Sequence, residues 1–85
     1  MRYITDSGHG WLEVSLREYP SATKYGTGFG YLDERMGFIY LEEDCEAGAF
    51  IADHPEARGE ILHTNVDGDS PIRNLPHNKN VMVLA

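Results

Sequence analysis

Residues 29–41 read FGYLDERMGFIYL, two apolar segments separated by a charged turn. Aromatic and β-branched residues favour strands, and they are prominent in both Phe29–Leu32 and Phe38–Leu41. The intervening Asp33–Gly37 carries the polar residues and the glycine that favour a turn between strands. We therefore expect a β-hairpin. Its second arm is apolar on both faces, which predicts a strand in the interior of a sheet.

A short helix is predicted after the hairpin, over about Cys45–Asp53. Asp44 is a suitable N-cap, because a carboxylate at that position accepts free amide hydrogens of the first turn. The helix should end before Pro55, since proline cannot continue it. Three apolar residues recur at helical spacing and would form the buried stripe: Ala47, Phe50 and Ile51.

Upstream of the hairpin, Trp11–Leu16 alternates as a strand with one buried face does. Leu12, Val14 and Leu16 would face the core, with Trp11 on the other side. Further strands are predicted at Arg2–Thr5 and Glu60–Val66. Pro71–Pro76 begins and ends with proline and should be an edge segment or an extended loop. Val81–Leu84 is expected to be a short strand or a tail docked on the core. The 85 residues are expected to form one α+β domain, in which an antiparallel sheet of four to five strands carries one short helix packed on one face.

The net charge of −7 is concentrated in one part of the chain. Residues 33–56 contain eight carboxylates and one base, whereas acidic and basic side chains cancel in the remainder. Such a surface repels phosphate backbones and anionic membranes, so neither nucleic acid nor a membrane is an expected partner. A basic protein surface is the electrostatic match. The predicted contact residues are Asp33, Glu34, Glu42, Glu43, Asp44 and Glu46. The alternative is that the charge only keeps the protein dispersed.

Several features favour a cytoplasmic protein. No apolar run approaches the roughly 20 residues of a membrane helix, and Met1–Asp6 lacks the pattern of a secretory signal. The single cysteine cannot form an internal disulfide, which small secreted domains usually contain.

The histidines do not predict a metal centre. None of the four is paired with another at the spacing typical of zinc sites, and there is no second cysteine. A site built from Asp6, His9 and His63 remains an alternative, and it would suit a small metal-dependent hydrolase. We predict no catalytic residue, no cofactor and no metal ligand.

Cys45 and the segment Gly26–Gly30 each have a structural interpretation. Three carboxylates flank Cys45 and disfavour a reactive thiolate, so a small buried thiol is predicted. A phosphate-binding loop presents its amides at a helix start. Gly26–Gly30 instead runs into the predicted strand Phe29–Leu32, which indicates a loop or strand entry.

Four aromatic or imidazole side chains are candidate ligand or interface anchors: His9, Trp11, Tyr25 and Tyr31. Trp11 either packs into a second small core or anchors an interface, where tryptophan is enriched. These residues support a second hypothesis, a protein that binds or sequesters a small nucleotide-like ligand, with a homodimer interface as one location for the site.

Three segments resemble a group of small accessory proteins of bacteriophages, plasmids and other mobile elements: Ser7–Val14, Tyr40–Cys45 and Asp67–Leu75. No activity or site residue of that group is carried to this chain. The resemblance implies a setting in which small acidic proteins often counter host defences. The leading hypothesis is therefore a non-enzymatic inhibitor of the anti-CRISPR or anti-restriction type, which occupies the basic surface of a host nucleic-acid-binding protein.

Overall fold

The chain forms a five-stranded mixed sheet in the computed structural model, which describes residues 1–79. The strands are β1 (Arg2–Thr5), β2 (Gly10–Ser15), β3 (Tyr31–Asp33), β4 (Phe38–Glu42) and β5 (Leu62–Asn65). The α-helix α1 (Glu46–Asp53) follows β4, and 3₁₀ helices cover Pro20–Tyr25, Pro55–Glu60 and Pro71–Asn74. The predicted α+β class is confirmed. The predicted strand at Val81–Leu84 lies outside the described residues.

The strand order is β3-β4-β2-β1-β5, and all neighbouring pairs except β1–β5 are antiparallel. β1 and β4 share a direction, because both are antiparallel to β2. After β4 the chain passes through α1 on one face of the sheet before it enters β5. A crossover of this kind joins parallel strands, so β5 runs parallel to β1 at the edge. The expected antiparallel pairing therefore applies to the rest of the sheet.

Both faces of the sheet are covered, and we call them the helix face and the far face. On the helix face, Phe50 and Ala47 of α1 pack against sheet residues Leu12, Val14, Leu32, Ile39 and Leu41. On the far face, the 3₁₀ helix Pro71–Asn74 contributes Ile72 to a smaller cluster with Ile4, Trp11 and Tyr40. Alternation along β2 places Leu12 and Val14 in the first cluster and Trp11 in the second, as predicted.

The hairpin is confirmed by the pairs Tyr31–Tyr40, Leu32–Ile39 and Asp33–Phe38. Its turn ends at Gly37, whose φ of 77° lies in the left-handed region that favours glycine. β4 lies between β3 and β2, which confirms the predicted interior strand.

The helix ends at Asp53 as expected but starts differently. The N-cap is Cys45, not Asp44, and no side chain caps it. Cys45 is exposed, so the predicted buried thiol is wrong. Both differences follow from a start one residue later than predicted, which leaves residues 43–45 in a turn and makes Glu46 the first helical residue.

Two later segments also differ from expectation. The predicted strand Glu60–Val66 is shorter, and as β5 it is an edge strand with Leu62 exposed. Pro71–Pro76 contains a 3₁₀ turn in place of an extended segment, because Ser70 Oγ accepts a hydrogen bond from the amide of Ile72.

Candidate functional site

A pocket on the far face lies where three strand ends meet. The sheet register sets Trp11 opposite Glu42 and Tyr31 opposite Tyr40. Residues that pair directly, or that lie two apart on one strand, point to the same face. Trp11, Tyr31 and Glu42 therefore converge at one end of the sheet. His9 and Phe29, from the loops before β2 and β3, complete a pocket of about 380 Å³.

The walls of this pocket are aromatic. Trp11 is only 2% exposed, and its ring meets that of Tyr31 edge to face at 6.0 Å between centroids. Tyr31 is held from its other side by His77, which stacks on it at 4.7 Å. Phe29, by contrast, is 66% exposed. The pocket thus combines fixed rings at its base with a solvent-exposed ring at its entrance, a combination typical of contact surfaces.

Arg73 borders the pocket and is fixed by Asp6. Its guanidinium lies 5.2 Å from the Trp11 ring centroid and donates to the two Asp6 carboxylate oxygens at 2.7 and 2.9 Å. The guanidinium, together with amide donors that include Ser70, holds the pKa of Asp6 well below its usual range. Asp69 approaches the same guanidinium at 3.8 Å. The charge of Arg73 is therefore already matched within the protein.

The predicted acidic contact residues do not form one surface. Asp33 and Glu34 lie at the hairpin turn, whereas Glu42 and Asp44 line the pocket at the opposite end of β4. The rise of a strand puts about 13 Å between the two ends of β4. We call Glu42 and Asp44 the rim carboxylates and Asp33 and Glu34 the turn carboxylates. Glu43 belongs to neither pair, because it accepts a hydrogen bond from the Tyr3 hydroxyl at 2.5 Å.

Glu46, predicted as a contact residue, lies in the interior of the protein and not on its surface. It is 1% exposed. Its Oε2 accepts hydrogen bonds from the Thr27 amide and hydroxyl at 2.7 and 2.6 Å, and Oε1 accepts from the Glu42 amide at 3.0 Å and Asn78 Nδ2 at 2.7 Å. Burial alone would raise the pKa of Glu46, but these hydrogen bonds outweigh it and lower the pKa.

The glycine-rich loop owes its shape to this carboxylate. The amides of Phe29 and Gly30 also point at Glu46 Oε2, at 3.3 and 3.4 Å. A loop of exposed amides is suited to hold an anion, and here the anion is the protein's own side chain. Because Phe29 belongs to this loop, Glu46 helps to position the entrance of the pocket from within the core.

Tyr25 lies apart from the other predicted anchors and does not line the far-face pocket. It is 7% exposed in the helix-face core, where its ring meets Phe50 edge to face. Its hydroxyl donates to Asp53 at 2.5 Å, and this hydrogen bond raises the pKa of Tyr25 to about 12. The structure therefore brings together three of the four anchors: His9, Trp11 and Tyr31.

The alternative metal site is not assembled. His9 borders the far-face pocket, whereas His63 lies on the helix face beside Tyr3, and Asp6 is engaged by Arg73. Within residues 1–79, no group of three or more histidine, cysteine or acidic side chains is arranged to hold a metal ion.

A second depression, of about 370 Å³, lies on the helix face between α1 and the edge formed by β1 and β5. Tyr3, Ile51 and Ile61 line it, together with Arg58 and His63. No predicted contact or anchor residue borders it, and no carboxylate does. It therefore offers a basic partner no matching charge.

Three residues of the far-face pocket escaped sequence analysis: Phe29, Cys45 and Arg73. The exposure of Phe29 could have been predicted, because a phenylalanine between two glycines has few neighbouring side chains to bury it. The place of Arg73 at the pocket could not have been predicted, since its partner Asp6 is 67 positions away in the sequence.

No protein-family model, curated protein or solved structure matches the chain. The fold and the pocket therefore rest on the chain's own geometry. None of the helices described in residues 1–79 has the length and apolar character needed to cross a bilayer.

Proposed function

We propose that the protein is a non-enzymatic binding protein that docks on a basic surface of a partner protein through the far-face pocket. The observation that carries this proposal is the meeting of aromatic walls with the rim carboxylates Glu42 and Asp44 in one cavity. Aromatic rings supply contact area at low entropic cost, and unpaired carboxylates at the edge select a partner of opposite charge.

The charge distribution supports the same choice of partner. Arg73 at the pocket is matched by Asp6 and Asp69, while Glu42 and Asp44 form no ion pair within the residues described. The cavity therefore carries net negative charge. A phosphate backbone would be repelled there, in line with a protein that does not bind nucleic acid itself.

The resemblance to accessory proteins of mobile elements supports a more specific form of this proposal. In that form the protein acts in the bacterial cytoplasm on a host defence protein that binds nucleic acid. The docked pocket and rim carboxylates cover a basic surface that the nucleic acid would otherwise occupy. Two carboxylates and a few rings make a small contact, which suits a local block better than imitation of a long duplex.

Two matched variants test the proposal. Glu42→Gln/Asp44→Asn and Asp33→Asn/Glu34→Gln each remove two negative charges, and each keeps the side-chain oxygen that accepts a local amide hydrogen bond. Tagged wild type and both variants are used to capture proteins from nuclease-treated bacterial lysate at several salt concentrations. We expect the rim variant to lose the salt-sensitive partner by about tenfold or more, while the turn variant retains it. Equal capture by both variants, or no basic partner with the wild type, would refute the proposal.

A second candidate function is the binding of a small free ligand, and the convergence of His9, Trp11 and Tyr31 in one pocket favours it. An aromatic, nucleoside-like group could stack against Tyr31 or Phe29. Mass spectrometry of the purified protein under native conditions distinguishes the two functions. A stoichiometric small molecule that survives the Glu42→Gln/Asp44→Asn change supports the second function, whereas its absence leaves the first.

A further inference from the structure

We propose that the occupant of the far-face pocket is the guanidinium group of one arginine side chain of the partner protein. This inference rests on the proposed function, because it names the chemical group that the pocket would recognise. Three features support it. The pocket has aromatic walls, it has two carboxylates that form no ion pair within residues 1–79, and beside it the protein's own Arg73 is held by a carboxylate and an aromatic ring.

The ring faces suit a flat cation. Tyr31 and the exposed Phe29 border the pocket, above a nearly buried Trp11. A guanidinium stacks on aromatic faces through cation–π attraction and loses little hydration when it does so. Neutral apolar groups would also contact the rings, but they would leave Glu42 and Asp44 without partners.

The carboxylates determine that the ligand carries a positive charge. Glu42 and Asp44 line the cavity. Within residues 1–79 neither carboxylate forms an ion pair, and Glu42 accepts a hydrogen bond from the Asp44 amide. The positive charge of Arg73 does not cancel theirs, because both Asp6 oxygens and the nearby Asp69 already face it. An anionic ligand such as a phosphate would meet two carboxylates, and the Arg73 guanidinium at the pocket is already paired with Asp6.

The geometry favours arginine over lysine. Arginine presents a planar fork that can pair with a carboxylate by two hydrogen bonds while its face lies on a ring. The protein itself shows this arrangement once, where Arg73 pairs with both Asp6 oxygens and lies over Trp11. An ammonium group can make the ion pair but cannot stack as a plane.

Cys45 provides a direct probe, because it is the chain's single cysteine, is exposed and borders the pocket. Its modification rate is measured with a cationic and an anionic methanethiosulfonate reagent. The ratio of the two rates, divided by the same ratio for a small free thiol, is independent of how much thiolate is present and reports the charge around the pocket. In the wild type we expect this ratio to favour the cationic reagent by about tenfold. The Glu42→Gln/Asp44→Asn variant should lose most of this preference, and the Asp33→Asn/Glu34→Gln variant should keep it.

Protection of Cys45 identifies the recognised group. Methylguanidinium chloride should slow the modification more than methylammonium chloride does at equal concentration and ionic strength. Phe29→Leu should weaken the protection about two- to fivefold; the side chain is exposed, so this change leaves the core intact. Equal protection by the two salts, or protection unaffected by Phe29→Leu, would refute the arginine assignment.

The two proposals can fail separately. If Cys45 shows the expected protection but no basic protein is captured, the proposed function fails and the guanidinium site remains. If a basic protein is captured through the rim carboxylates but methylguanidinium gives no protection, the partner is bound without an arginine in the pocket. In that case the further inference is wrong.

Discussion

Glu46→Ala is expected to lower the free energy of unfolding by about 3–5 kcal/mol, because it leaves several buried donors without an acceptor. The carboxylate holds Thr27 from the glycine loop, the Glu42 amide at the end of β4, and the Asn78 side chain. These groups come from three separate parts of the chain. A loss of this size is a large part of the stability of a small domain, roughly 0.05–0.15 kcal/mol per residue.

Urea denaturation of three variants isolates the cause. Glu46→Gln preserves the volume but turns one acceptor into a donor that faces other donors, so we expect it to be nearly as destabilising as Glu46→Ala. Glu34→Ala, at an exposed turn position, should change stability by no more than about 0.5 kcal/mol. Wild-type stability in Glu46→Gln would show that the charge of the carboxylate is dispensable.

The lowered pKa of Glu46 gives a second, independent readout. A group whose pKa is lower in the folded state stabilises the fold above its unfolded pKa, about 4.3 for glutamate. This contribution is lost as the pH falls through the folded-state pKa. The difference in unfolding free energy between wild type and Glu46→Gln should therefore narrow between neutral pH and about pH 3.

Gly30→Ala should be the second most damaging change and cost about 2–3 kcal/mol. A Cβ at Gly30 would collide with the Tyr40 carbonyl oxygen, Glu46 Oε1 and the Asn78 amide group. The carbonyl belongs to β4 and cannot move without disturbing the sheet. Separation of the loop from β4 would also displace Phe29 from the entrance of the pocket.

Gly48→Ala is the matched control for this substitution. A Cβ at Gly48 meets nothing within 4 Å, and alanine favours a helix interior by roughly 0.5–1 kcal/mol over glycine. The two glycine-to-alanine changes should therefore shift the urea midpoint in opposite directions. If Gly30→Ala is neutral or stabilising, the tight contact of the loop with β4 and Glu46 is not present in solution.

The hairpin and the helix could be predicted because their signals are local. The apolar segments on either side of the Asp33–Gly37 turn, and the spacing of Ala47 and Phe50, determine which residues are buried. The parallel position of β5 depends on how the whole β4–α1–β5 segment crosses the sheet. No short stretch of sequence determines that path.

The different surroundings of the acidic residues from Glu42 to Glu46 could not be predicted from the sequence. Its carboxylates look equivalent in the sequence, yet Glu42 borders the pocket, Glu43 binds Tyr3 and Glu46 is buried. What separates them is contact with residues 16–40 positions away, including Thr27 and Tyr3. Burial of Glu46 was unexpected because an isolated buried carboxylate is costly, and most of the donors that compensate for it lie in distant parts of the chain, the glycine loop and Asn78.

The aromatic part of the site was partly predictable. His9 and Trp11 are close in sequence, and the hairpin register brings Tyr31 to the same end of the sheet. Tyr25 has the same chemical character but lies in the 3₁₀ helix Pro20–Tyr25, on the helix face. Which face a side chain occupies outside a regular strand could not be derived from alternation.

Nuclear magnetic resonance titration tests the central claim, that a positively charged group enters the far-face pocket. The probe is an acetylated and amidated glycine–arginine–glycine peptide, added to ¹⁵N-labelled protein, with the lysine counterpart as control. The single tryptophan gives one indole signal, which reports directly on the pocket. With the arginine peptide we expect saturable chemical-shift changes of this signal and of the amide signals of Phe29, Tyr31 and Glu42–Cys45. The lysine peptide should bind more weakly, and the amide signals of Asp33–Gly37 should not shift with either peptide. Shifts centred on Asp33–Gly37, or spread equally over both ends of β4, would contradict the claim and reduce the acidic residues to general surface charge.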